Sequence, residues 1–360
     1  MDVNEIRAMD HKRKKNIGLL MGILCALYWG VWYVPGYAIY VSPLIDSVYY
    51  NVLNTGASDD VAMVLQALFL TFVNAVACAL LLFIWNGGLQ KNRELVRTLV
   101  QVKSVTKYYI LAGICGAVAV SGTYIAALFL SPGFAAIAGL LYPIIGTIMS
   151  VLYLKQKVTK RAYLAVIVLL VGGITLYSGS IIVGDTGSSN PLLGCIGGLM
   201  AAVGWGFEGA VAGKALDLSE PDIGIHLRFI FEALFWTIVM IVLVCCGFPM
   251  FDTLGWLFDP TTFLLVLLIG FSFAWCYVSW YKSFPMIGVA RGQAIGSLYA
   301  ACGVIFLCIF MGPELALGYT EDSMWIIVGS TIAGLLICLA GSFLLATEDA
   351  EQMASLRGES

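Results

Sequence analysis

Charge is what this 360-residue sequence has least of. Asp, Glu, Lys and Arg together make up 11% of it, while 60% is hydrophobic. An ordinary soluble chain carries roughly 25% charged residues and about 45–50% apolar ones. Mean hydropathy is +0.93. So few charges cannot keep a surface wet, which excludes a secreted enzyme, a nucleic-acid binder and a disordered adaptor. The net charge of −3 says nothing about partners. Histidine is scarce: there are two, His11 and His226. Neither joins Asp or Glu at metal-ligand spacing, and there is no P-loop. No enzyme, metal, cofactor or direct ATP drive is therefore expected. The ten cysteines lie in or at the ends of apolar stretches and form no Cys-x-x-Cys pair. They read as reduced packing residues, small hydrophobes in effect.

What is present is apolar length. A run of about 20 residues crosses about 30 Å of hydrocarbon as a helix. Ten such runs occur, at 17–40, 61–85, 107–128, 133–154, 161–181, 191–213, 226–247, 261–281, 288–311 and 324–346. Lipid offers the backbone no hydrogen-bond partner, so runs of this length are helices. The expected fold class is an all-α membrane protein of ten spans. The first run follows basic residues, as a signal peptide would. It is too long for an h-region, holds Trp29, Trp32 and Tyr33, and is followed by no small-x-small site. It is expected to remain as span one.

Basic residues mark the cytoplasmic side of a membrane protein. Arg7 and Lys12–Lys15 precede span one, and Lys91, Arg93, Arg97, Lys103 and Lys107 follow span two. Lys155, Lys157, Lys160 and Arg161 follow span four. Lys214 and Arg228 flank the segment after span six, Lys282 and Arg291 the one after span eight, and Arg357 lies beyond span ten. The opposite connections hold Asp46, Asp59, Asp60, Asp185, Asp252, Asp259, Glu314, Glu321 and Asp322 and no Lys or Arg. A wrong span count would scramble this pattern. Both termini are expected in the cytoplasm, with tails at 1–16 and 347–360. The lack of an Asn-x-Ser/Thr sequon and the compact loops suit a bacterial inner membrane.

The chain also repeats itself. Trp29-Gly30 in span one matches Trp205-Gly206 in span six, each with a glycine seven residues earlier, Gly22 and Gly198. GLLYPIIG from Gly139 matches GSLYAACG from Gly296, which aligns Tyr142 with Tyr299 and Tyr124 with Tyr281. Residues 17–181 and 191–346 are thus two five-span halves. Five is odd, so the second half enters the membrane inverted. An inverted repeat has two related shapes open to opposite sides, the geometry of alternating access.

The two Trp-Gly openings resemble those of the drug/metabolite transporter superfamily, of the EamA-like kind. So does the stretch from Tyr124 to Ser178. There a short turn at Ser131-Pro132-Gly133 enters a small-residue helix, Lys155-Gln156-Lys157 follows, and a Gly-rich helix closes the half. The resemblance implies ten helices in two inverted halves and carriage of small metabolites. Two features depart from it. Lys155 and Lys157 stand where the family has an acidic residue, and the segment from Ser42 to Asp60 is long.

Ionisable residues inside spans are costly, roughly 2.5–3.5 kcal/mol at a helix centre, and mark function. Glu208 sits mid-span in span six with no basic residue near it in sequence. Its partner in the repeat is Trp32. Trp29, Trp32 and Tyr33 are expected to face Trp205 and Glu208, a carboxylate among rings that could take a cation through cation–π contact. Tyr124, Tyr142, Trp275, Gln293 and Tyr299 complete the expected substrate site. Glu208 and Glu232 are the proton-coupling candidates, since burial favours a protonated carboxyl. Glu232 can also pair with Arg228 one turn away. Arg228 and Arg291 otherwise read as interfacial anchors, and Trp85, Trp280, Tyr281 and Trp325 as interfacial aromatics. Asn74 should face protein. Gly194–Gly198, Gly209–Gly213 and Gly292–Gly296 permit close helix packing but do not signal an oligomer. The expected activity is secondary transport of a small organic cation of the quaternary ammonium type, coupled to a proton or another gradient. The alternative is a neutral metabolite: a sugar, nucleobase or amino acid.

Overall fold

The computed structural model describes residues 3–130, 139–183, 190–313, 317 and 321–347. It is helical, with no strand among the described residues. The helices are α1 (Val3–Ala38), α2 (Pro43–Leu53), α3 (Asp59–Gly88), α4 (Asn92–Gln101), α5 (Lys103–Phe129), α6 (Tyr142–Leu152) and α7 (Lys160–Val183). Then come α8 (Pro191–Leu216), α9 (Pro221–Cys245), α10 (Pro260–Ile287), α11 (Val289–Gly296), α12 (Tyr299–Met311) and α13 (Met324–Ala346). Nine helical segments among the described residues are long and apolar enough to cross a bilayer, α11 and α12 counting as one. The fourth expected span is represented by α6, of 11 residues. Its expected turn at Ser131-Pro132-Gly133, together with Asp185, Glu314 and Arg357, lies outside the described residues.

Helix starts follow local chemistry. Ser58 caps α3, and Asp59 and Asp60 occupy its first turn, where the helix dipole favours negative charge. Asp259 accepts from the Thr262 amide at 2.9 Å and Pro260 opens α10. Asn190 and Pro191 do the same for α8. The outward faces carry large apolar residues such as Leu80, Ile84, Ile238, Leu336 and Phe343, as lipid requires. Inside, small residues let backbones meet. A Cβ on Gly122 would lie 2.5 Å from the Gly197 carbonyl oxygen, so α5 and α8 touch along their main chains.

The most extensive pairings are α5 with α8, α7 with α13, and α1 with α10. Next come α1 with α12, α3 with α9, α5 with α9, α6 with α8 and α3 with α10. Two helices break at matching places. The chain leaves helical geometry at Leu140–Leu141 before α6, and at Ser297–Leu298 between α11 and α12. All ten cysteines are free. Cys195, Cys245 and Cys246 are exposed rather than packed.

Several expected boundaries move: the first helix begins at Val3 rather than 17, and two other shifts bear on the interior. The seventh helix begins at Pro221, not 226, and the eighth runs to Ile287, through Pro285, not to 281. Arg228, Trp280 and Tyr281 therefore lie inside helices instead of at their ends.

Candidate functional site

The interior holds two connected layers, one of rings and one of charge. Trp29 of α1 stacks on Tyr299 of α12, with ring centres 4.2 Å apart and planes 16° from parallel. It meets Trp205 of α8 edge-on at 4.7 Å. Tyr142 of α6 lies 6.1 Å from Trp205 and donates to the Gln293 carbonyl at 2.8 Å. Gln293 in turn donates its side-chain amide to the Trp205 carbonyl at 3.2 Å. Both helix breaks feed this layer, since Tyr142 and Tyr299 are the first residues after them. A Cβ on Gly139 would sit 2.5 Å from the Tyr299 hydroxyl, and one on Gly296 would sit 3.0 Å from the Tyr142 hydroxyl. The absence of side chains there is what lets the two phenols in.

On the side of the acidic connections, the rings open into a small cleft. Trp32, Tyr33, Tyr37, Tyr40 and Tyr124 line it, with Thr123, Ala127 and Leu307. Trp32 lies 5.5 Å from both Tyr33 and Tyr124. The indole N–H of Trp32 and the hydroxyls of Tyr40 and Tyr124 are buried and have no partner among the described residues. Such groups are costly to leave unpaired, and a bound ligand is one way to satisfy them.

Beneath the rings lies the charge layer. Trp205 donates its indole N–H to the Tyr277 hydroxyl at 2.8 Å. Arg228 of α9 donates to both oxygens of Glu208, from Nε at 2.7 Å and from Nη2 at 3.1 Å. It also donates from Nη1 to Glu232. The hydroxyls of Tyr277 and Tyr281 add bonds to Glu208 at 3.3 and 3.1 Å. The guanidinium lies over the rings of Phe229 and Tyr277, at 4.1 and 4.5 Å. Arg228, Glu208 and Glu232 are all fully buried. Two carboxylates thus share one guanidinium.

A third layer closes the basic side. Asp222 of α9 accepts from Lys91 at 2.8 Å, from Lys282 of α10 at 2.8 Å and from the Trp85 indole at 3.2 Å. Asn86 of α3 donates to the Asp222 carbonyl and pairs with His226, each at 3.1 Å. Burial works against the Lys91 ammonium, but its bonds to Asp222 and Glu220 outweigh this and raise its pKa. The helices α3, α9 and α10 are pinned together here.

Residues 49–178 match the model of the EamA-like transporter family. Over that stretch, about a third of the chain, it is similar to this family of the drug/metabolite transporter superfamily. An uncharacterized transporter of Clostridium kluyveri is 21% identical over 180 residues, which is 50% of this chain and 56% of that protein. The match thus spans little more than half the length of this curated relative. A crystal structure aligns over 90% of this chain and 98% of its own, with a TM-score of 0.55 at 16% identity. It bears on the fold alone. With its long apolar helices, this EamA-like chain is an integral membrane protein.

In this membrane protein, most residues expected at the site come together. Trp29, Trp205, Tyr142, Tyr299 and Gln293 form the ring layer, and Trp32, Tyr33 and Tyr124 border the cleft. Glu208 is buried below them, but against Arg228 rather than open to the rings. Trp275 is elsewhere, stacked on Phe271 at 4.5 Å and beside Trp85. The Arg228–Glu232 pair is present. Arg228 and Arg291, expected to anchor at the interface, are buried. Trp280 and Tyr281 are buried too, Trp280 lying 6.4 Å from Trp29. Asn74 is fully buried, and Trp325 is exposed as expected. Sequence reasoning missed Tyr277, Asp222, Lys91 and Lys282. For Tyr277 the available signal was its place one turn before Tyr281, the repeat partner of Tyr124.

Proposed function

We propose that this protein is a secondary transporter of a small organic cation, exchanged by alternating access between two inverted five-helix halves. The halves are 17–181 and 191–346, in a ten-helix chain whose termini are both cytoplasmic. A bacterial inner membrane suits its loops. Under this reading the basic side is cytoplasmic and the cleft opens outward.

The helix pairings support the inversion. Exchanging the halves turns the pair α5·α8 into α10·α1, α6·α8 into α12·α1, and α3·α10 into α9·α5, all of which occur. Close contacts exchange too. A Cβ on Gly30 would lie 2.5 Å from Cys302 Cβ, and one on Gly206 would lie 2.5 Å from Ile145 Cβ. Gly30 and Gly206 are repeat partners, and so are Ile145 and Cys302.

The observation that carries the substrate reading is charge imbalance behind an aromatic cleft. Five rings border the cleft, and a desolvated cation over such a face gains about 2 kcal/mol. Tyr124, one of those rings, lies within electrostatic reach of Glu232. The buried network beyond holds one more carboxylate than guanidinium. A monovalent cation entering the cleft would offset that surplus.

A second reading, a neutral metabolite, is favoured by the unpartnered donors Trp32 Nε1, Tyr40 OH and Tyr124 OH. These seek acceptor oxygens, which sugars, nucleobases and amino acids carry and a bare alkylammonium lacks. The deciding measurement is thermal stability of purified protein against choline, betaine, carnitine, polyamines, sugars, nucleobases and amino acids. A ligand at about one hundred times its Kd adds about 2.7 kcal/mol. Cations should stabilise the protein, less so after Trp32→Ala. Stabilisation by neutral compounds alone would overturn the cation reading.

A further inference from the structure

We infer that Glu232, and not Glu208, is the proton site of this transporter, with Asn74 and Trp236 as the polar groups that receive it in its two states. The inference deepens the proposed function and rests on its gradient-coupled transport.

Hydrogen-bond accounting separates the two carboxylates. Glu208 is saturated. Its Oε1 accepts from Arg228 Nε and the Tyr281 hydroxyl, and its Oε2 accepts from Arg228 Nη2 and the Tyr277 hydroxyl. It is held as the counter-charge of Arg228. Glu232 is half satisfied. Its Oε2 accepts from Arg228 Nη1, while Oε1 is buried with no partner among the described residues. A buried ionised oxygen without a donor is expensive, and a proton on it removes the charge.

The surroundings of that oxygen fit both states. Asn74 is fully buried, and neither its Nδ2 nor its Oδ1 has a partner among the described residues. The Trp236 indole N–H is likewise unpartnered. The helices α3 and α9 run antiparallel, and Asn86 is bonded to Asp222 and His226. Two turns along, this register sets Cys78 level with Glu232, and one turn further it sets Asn74 level with Trp236. Glu232 and Arg228 lie within electrostatic reach of Cys78, as the register requires. A protonated Glu232 donates and needs an acceptor such as the amide oxygen of Asn74. An ionised Glu232 needs donors such as the Asn74 amide and the Trp236 indole. An asparagine offers either without moving far.

Every element packed around the carboxyl contributes to its field. Arg228 faces it from its own helix, Cys78 from α3, Tyr124 from α5, Glu208 from α8 and Tyr277 from α10. Arg228 is the only basic group among these. With Glu232 protonated the trio is neutral. When the O–H bond of Glu232 breaks, the proton passes to water through the cleft, and one negative charge is left for the organic cation to balance.

The test uses the purified chain in lipid vesicles and needs no substrate. Infrared difference spectra are recorded as pH is stepped between about 5 and 9, the range in which a buried carboxyl titrates. A carboxylic C=O stretch should appear and fade with pH in the parent protein, and should do so at lower pH in Glu208→Gln, which leaves Arg228 to Glu232 alone. It should be lost in Glu232→Gln, which keeps the Arg228–Glu208 pair intact. Glu232→Asp, which keeps a carboxyl if the glutamine variant folds poorly, should shift the band instead. Loss of the band in Glu208→Gln alone would overturn the assignment, as would the absence of any titrating band in the parent protein. A ligand screen that finds no cation would overturn the substrate reading and leave this band in place, so the two failures are distinguishable.

Discussion

At the residue scale, Arg228 is the side chain on which the interior depends. It is fully buried and bonded to two carboxylates and to Tyr277. Removing one partner of a buried ion network strands the rest, at about 3–5 kcal/mol. Arg228→Leu should therefore lower stability by about that much in chaotrope titration in micelles. Adding Glu208→Gln should recover part of the loss, because one stranded carboxylate goes with it. A single-variant loss below about 1 kcal/mol, the value of an exposed pair, would mean that the network is wet. This residue was half legible in the sequence. Its i,i+4 relation to Glu232 could be read directly. Its burial could not, because a hydropathy window cannot tell an arginine at a span end from one that begins two turns earlier at Pro221. The same boundary error hid Tyr281. Trp29, Trp205, Tyr142 and Tyr299 were legible because the repeat aligned them, and alignment in a repeat places residues about an axis whatever the span boundaries. Trp275 has no such partner, and its depth in the span says nothing about which way it faces.

At the element scale, the ends of the helices divide the labour. The long apolar helices were readable from hydropathy alone. The helix α2 was not, since at 11 residues it is too short to span; it buries Leu44, Ile45, Val48 and Val52 on one face. The break at Ser297–Leu298 carries no proline to announce it. On the basic side, Asp222 at the start of α9 joins Lys91 and Lys282. Asp222→Asn keeps the shape and removes the charge. Amide exchange should then quicken at the end of α3 and the start of α9, and stay unchanged in α7 and α13, which pack elsewhere. Uniform exchange across all four would show that Asp222 pins nothing. The pH dependence follows from Lys91. Its folded pKa is raised, so its contribution is fully present below the ordinary lysine value of about 10.4 and is lost only as pH rises through the folded value. The contact should hold steady across neutral pH. Lys91 and Lys282 are part-exposed, so added salt should loosen it instead, through screening. Exchange rates measured against pH and against salt separate the two effects.

At the scale of the whole molecule, the proposed inverted repeat would turn one conformation into a statement about another. If the halves trade shapes, each residue of the cleft hands its place to its repeat partner. Trp32 gives way to Glu208, Tyr124 to Tyr281, and Thr123 and Ala127 to Trp280 and Phe284. The opposite cleft would then be lined by the saturated carboxylate and its phenol, residues that are sealed in this conformation. The charge layer would become the binding layer as the basic side opens. This exchange makes two distances move against each other. Tyr37 and Phe310 are exposed at the acidic end of α1 and α12. Lys214 and Tyr153 occupy nearly the partner positions at the basic end of α8 and beyond α6, and are also exposed. Spin labels on each pair, measured in vesicles by pulsed dipolar spectroscopy, should give two distances per pair. Conditions that shorten Tyr37–Phe310 should lengthen Lys214–Tyr153. Populations that rise and fall together would describe a molecule that breathes, without trading the shapes of its halves. The size of the shift is bounded by energetics: a ligand that moves the balance from 1:99 to 99:1 must prefer one conformation by about 5.5 kcal/mol. A cation held over the cleft rings gains about 2 kcal/mol from them. The remainder must then come from discharging the surplus carboxylate, so Glu232→Gln should shrink the ligand-driven shift even where it leaves binding detectable.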